Sequence, residues 1–103
     1  MLNIDVDNLD EMNEFMRNEK DLFFESLIVS IQDGWEKNSE VVIIASFKIK
    51  DTDSTVNISI ENDGWNELLH LALYHFEVSE NYEYCIEIKE LINLMYDEDG
   101  EEK

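Results

Sequence analysis

Glu83, Glu87 and Glu90 stand at i, i+4 and i+7, with Glu80 before them and Asp97, Glu98 and Asp99 beyond. On a helix this spacing puts three carboxylates on one side, with neighbours roughly 5–6 Å apart. That is comparable to the spacing of phosphates along a nucleic-acid strand. The chemistry of such a row is fixed negative charge, suited to Lys and Arg side chains that would otherwise hold phosphates. The competing interpretation is an ordinary solvated helix face, and two features weigh against it. Lys89 is the one cation in this helix, whereas surface helices commonly mix signs. The segment 8–20 repeats the bias with Asp10, Glu11, Glu14 and Glu19. Like charges at i, i+4 cost a few tenths of a kcal/mol per pair, so the sequence tolerates a destabilising surface.

Other chemistries are poorly served. Asp51-x-Asp53 and Asp97-x-Asp99-Gly100 have the start of a calcium-loop spacing. The first lacks the glycine at position 6, and the chain ends before position 12 of the second. His70 and His75 are five apart and point in different directions on a helix. No glycine-rich phosphate loop, zinc-protease motif or nucleophile elbow is present. Cys85 lies among Tyr84, Ile86 and Ile88 and reads as a packing residue. The sequence therefore predicts no catalytic residue, no metal site, no cofactor and no enzymatic activity.

Charge dominates the composition. The 103 residues hold 26 Asp and Glu against 7 Lys and Arg, a formal net of −19. Self-repulsion destabilises a compact domain, so an imbalance of this size calls for a use. Hydrophobic residues make up 44%, too many for a chain that stays unfolded through high charge and low hydrophobicity. Nucleic acid and anionic lipid, both negative, would repel the protein. The single cysteine excludes an intrachain disulfide and suits a reducing compartment. No apolar run approaches the roughly 18 residues of a membrane span. A soluble, cytoplasmic protein is expected, monomeric or homodimeric.

The elements that must position the carboxylates follow from periodicity. A helix is expected over 8–20, with Leu9, Met12, Phe15 and Met16 inward and Asp7 or Asn8 as its cap. Three strands follow by alternation: Leu27, Val29, Ile31; then Val41, Ile43, Ala45, Phe47, Ile49; then Val56, Ile58, Ile60. Phe24, Leu27, Ile28, Ile31 and Trp35 also fit a helix over 22–36. The strand is preferred there because Asp33-Gly34 looks like its end. Asp51 to Ser54 reads as a hairpin turn and Asp33 to Ser39 as a longer one. Asp-Gly-Trp occurs twice, at 33–35 and 63–65, each time as an expected strand exit. Trp65, Leu68, Leu69, Ala72, Leu73 and Phe76 then form one helical stripe, and Tyr84, Ile88, Leu91, Ile92 and Met95 another over 82–96. Phe24, Ile28, Val42 and Ile44 fall on the outer sheet face, where the first helix would cover them.

The fold expected is α+β: an N-terminal helix, a three-stranded antiparallel meander, and two C-terminal helices packed on the sheet. Residues 1–96 form a single acidic domain and 97–103 an acidic tail.

This order of elements, with its many carboxylates, resembles the small acidic inhibitors of phages and mobile elements, anti-CRISPR and anti-restriction proteins among them. The resemblance implies a nucleic-acid mimic that blocks the basic DNA- or RNA-binding site of a host defence nuclease by competition. Glu80, Glu83, Glu87, Glu90, Asp97, Glu98 and Asp99 would fill that groove. The partner implied is a basic nucleic-acid-binding protein of the nuclease type. The alternatives are an immunity protein covering a toxin nuclease and a non-enzymatic structural or assembly protein.

Overall fold

A computed structural model describes residues 2–96. Its elements run β1 (Leu2–Val6), α1 (Leu9–Asn18), α2 (Lys20–Glu36), β2 (Val41–Ile49), β3 (Ser54–Glu61), a 3-10 turn (Asn62–Gly64), α3 (Trp65–Val78) and α4 (Tyr82–Tyr96). Contacts sort them into two compact units, one up to Asn62 and the other from Asp63 onward. The class is α+β, with a three-stranded mixed sheet and four helices.

In the first unit the strands lie in the order β1-β2-β3. β2 and β3 form the expected antiparallel hairpin, but the third strand differs from expectation. β1, not residues 27–31, completes the sheet, and it pairs parallel to β2, from Leu2 opposite Ala45 to Val6 opposite Ile49. The meander is thus half right. A parallel neighbour requires a crossover, and α1 and α2 supply it. Asn8 caps α1, its Oδ1 accepting from the Glu11 N–H at 3.0 Å, while Glu11 Oε1 accepts from the Asp7 N–H at 2.7 Å. The chain bends at Glu19, whose N–H still donates to the Phe15 carbonyl, and continues as α2.

Residues 22–36 are helical because burial decides what local propensity leaves open. Leu27, Ile28, Ile31 and Gly34 share one buried helix face, with Ser26 and Ser30 at its border. As a strand, Ile28 and the residues on either side of it would have faced opposite ways. Asp33-Gly34 lies inside this helix and not in a turn. The two Asp-Gly-Trp segments therefore adopt different structures, one within α2 and one entering α3 through the 3-10 turn.

The sheet is one-faced. Ala45, Phe47 and Ile49 are buried with Val6 and Met12, and Phe15, Met16, Val56 and Ile58 pack around them. Phe15 of α1 meets Phe47 edge to face at 5.8 Å. The opposite face carries Ser46, Lys48, Thr55 and Asn57, with Ser46 Oγ donating to Asn57 Oδ1 at 2.7 Å. A bulge between Ile43 and Ala45 interrupts the alternation. It turns Ile43 and Val41 outward beside Ser59 and Glu61, and buries Ile44 and Ala45 in succession. The expected outer-face patch of Phe24, Ile28, Val42 and Ile44 is accordingly corrected: Ile28 and Ile44 are core residues.

In the second unit the two expected helices are present as α3 and α4, and they pack against each other. Trp65, Leu69, Ala72 and Phe76 are buried on α3, and Cys85, Ile88 and Leu91 on α4. The Phe76 and Tyr84 rings stack at 4.7 Å.

Candidate functional site

The acidic row is built on the second unit. Glu83, Glu87 and Glu90 all lie within α4 and all are exposed. At 100° per residue they fall within about 60° of one another, away from the Cys85, Ile88 and Leu91 face. None of the three side chains makes a hydrogen bond or ion pair with another described residue. Leu94, 60% exposed, continues the row one turn past Glu90 and adds apolar contact at its end. Lys89 lies off this line, on the flank with Tyr82 and Ile86. In the first unit Lys37 pairs with Asp33 at 3.2 Å.

Glu80 sits before the helix, in the turn between α3 and α4. Its φ is +64°, the left-handed region that favours glycine. The turn requires that conformation: the Asn81 N–H reaches the Phe76 carbonyl at 2.8 Å and the Glu80 N–H the Glu77 carbonyl at 3.1 Å. This is a Schellman closure of α3. The same closure ends α2, where Ser39 donates to Gly34, Asn38 donates to Trp35, and Asn38 takes the left-handed position with φ +57°. Asparagine suits that place and glutamate does not, so Glu80 is held at a cost. Asp97, Glu98 and Asp99 lie outside the described residues.

α3 also turns Leu71, Tyr74 and Val78 outward, each more than half exposed. The sequence reading assigned this helix only its buried stripe. The spacing i, i+3, i+7 of these leftover apolar residues was the signal for a second, exposed stripe.

His70 Nδ1 lies 2.8 Å from the Asn66 carbonyl on its own helix, and Cys85 is buried. Among the described residues no three His, Cys, Asp or Glu side chains converge as a metal site would need. Asp51 and Asp53 belong to the β2–β3 turn, in which the Asp53 N–H donates to the Lys50 carbonyl at 3.3 Å. No described helix is long and apolar enough to cross a membrane. The arrangement on α4 offers a one-sided display of negative charge.

No known protein family, curated protein or solved structure matches this chain.

Proposed function

We propose that this protein is a non-enzymatic, nucleic-acid-mimicking inhibitor that acts in the cytoplasm on the basic DNA- or RNA-binding groove of a defence nuclease. The observation that carries this reading is the exposed, unpaired row Glu83, Glu87, Glu90 on one side of α4. Glu80, kept where glycine would be less strained, supports it. Asp97, Glu98 and Asp99 extend the acidic sequence beyond the helix.

The mechanism is competition. A row of carboxylates on a helix is preorganised, so little side-chain ordering beyond the glutamate rotamers opposes docking. The net charge of −19 steers encounter with a cationic groove, and the complex weakens as salt screens it. Leu94 gives the row an apolar anchor that is insensitive to salt.

Capture from a bacterial lysate at low salt, with elution by a salt gradient, tests this. The expected result is one basic nucleic-acid enzyme, released by salt and displaced by DNA or RNA. The combined change Glu83→Gln, Glu87→Gln and Glu90→Gln should weaken capture while leaving the helical circular dichroism unchanged. Full retention of the partner by that variant would move the site off α4. A partner indifferent to both salt and nucleic acid would overturn the mimic.

A further inference from the structure

The N-terminal half of β2 has an open edge whose backbone direction is set by the ladder. The Asn62 N–H donates to the Glu40 carbonyl at 2.8 Å, which marks Glu40 and Asn62 as a hydrogen-bonded antiparallel pair. Val42 with Ile60 is the next such pair. The residues between, Val41 and Ile43, therefore aim their N–H and C=O groups away from β3. On that side the first described pairing of β1 is Leu2 with Ala45. The bulge at Ile44 stops the ladder, and the Ile44 carbonyl is taken by Ser26 Oγ at 2.7 Å. Two backbone donors and two acceptors are left without a strand partner among the described residues.

This edge opens into a groove of about 420 Å³, bordered on the helix side by Val29, Ser30 and Gly34 and on the strand side by Val41, Val42 and Ile43. A shallower depression of about 260 Å³ continues along α2, where Leu22 and Val29 face Leu2. Val29 is 61% exposed and Val41 49%, so the groove keeps uncovered apolar surface beside the polar Asp33, Lys37 and Ser39 of its lining.

We propose that this groove accepts one extended segment of a partner protein by strand addition, with apolar residues alternating with Lys or Arg. The open backbone groups of Val41 and Ile43 would supply the pairing. Alternate apolar side chains would rest on Val29 and Leu22, because a strand presents every second residue to one side. The cationic residues answer the charge of the chain, −19 in all: Asp33 lines the groove and Glu25 the depression beside it, and Lys37, the cation of the groove lining, is paired with Asp33. A second copy of this chain brings another −19 and is disfavoured as the occupant. The outer edge of β3 presents polar Thr55, Asn57 and Ser59 and offers no comparable apolar wall from its own side chains. The proposal rests on the first unit alone and is independent of the acidic row on α4.

Residue-resolved amide hydrogen exchange of the full chain tests it, with a capped peptide of alternating valine and lysine as the probe. Slowed exchange at Val41 and Ile43, absent when the peptide is N-methylated on alternate residues, is the expected result. Val29→Arg adds bulk and like charge at an exposed helix position. It should abolish that protection while the amides of Ala45 to Ile49 exchange as before. Equal binding of the N-methylated peptide would show attraction by charge alone and overturn the proposal. So would protection at Thr55, Asn57 and Ser59 in place of Val41 and Ile43, equal binding of a valine–glutamate peptide, or no protection at all.

Discussion

Ser26 of α2 donates its hydroxyl to the Ile44 carbonyl of β2 across 2.7 Å, tying the helix to the sheet at its bulge. Ser26 is 8% exposed and Ile44 1%. A carbonyl oxygen has two lone pairs, and at the bulge the hydroxyl adds a side-chain donor to this buried one where the described ladder between β1 and β2 begins.

Removing this hydroxyl should therefore be felt. Ser26→Ala is expected to lower stability by about 0.5–1.5 kcal/mol, the net contribution of one hydrogen bond. Ser30→Ala, at the other buried serine of α2, removes no hydrogen bond to a described residue. It should stay within about 0.5 kcal/mol, since alanine is the better helix former. Urea unfolding of the two variants checks the difference, and equal losses would show that the bond to Ile44 is not what Ser26 contributes.

Glycine stands at one position that does not need it and is missing from one that does. Gly64 has a φ of −99°, and a Cβ built there would meet nothing within 4 Å. Gly64→Ala should stabilise by about 0.4–1 kcal/mol through the unfolded chain. Glu80, at φ +64°, is the reverse case, and Glu80→Gly should gain about 1 kcal/mol by relieving the left-handed strain. Thermal unfolding reads both changes. If Glu80 serves the acidic row, the more stable Glu80→Gly variant will bind its partner less well.

Trp65 is 3% exposed, and its indole N–H has no hydrogen-bond partner among the described residues. Trp65→Phe keeps an aromatic ring and deletes the orphaned donor, so its loss should be held to about 1 kcal/mol. Trp65→Ala removes the ring and leaves a cavity, at about 3–5 kcal/mol. Denaturant midpoints for the pair separate the contribution of the ring from that of the donor.

Burial pushes the Tyr96 phenol above its ordinary value of 10.0. The folded state holds this proton where the unfolded state releases it. The associated stability is complete below pH 10 and is lost as pH rises through the folded value. Stability should therefore decline above pH 10 more steeply in the parent protein than in Tyr96→Phe. Unfolding midpoints between neutral and strongly alkaline pH are the measurement, and parallel declines would mean that Tyr96 takes no part.

Much of this fold is legible in the residues. α4 is marked by its stripe to both ends, and α3 by the change of period after Gly64. Asn8 is recognisable as a cap, and the β2–β3 hairpin by its alternation. α2 is less so, because Ile28, Val29 and Ile31 favour a strand locally and only the shared burial of Leu27, Ile28, Ile31 and Gly34 resolves the choice. β1 has the period-two signal in Leu2, Ile4 and Val6, but five residues with a remote partner give it little weight. The bulge at Ile44 leaves no local mark, since Val41 to Ile44 are all apolar and β-branched. The carboxylates of α4 are the most legible part of the candidate site, for helical spacing alone aligns them. Glu80's backbone is not, because its left-handed conformation comes from the closure of α3 onto Asn81.

The parallel pairing of Leu2 with Ala45 also sets an order of assembly. β1 is the first strand of the chain, yet its partner residues lie beyond α1 and α2. Closing that long loop before β2 exists would spend chain entropy with no ladder in return. The local hairpin of β2 and β3 is therefore expected to form ahead of it, with β1 docking onto an edge already made. During synthesis β1 emerges before the strand it pairs with, and must wait for it.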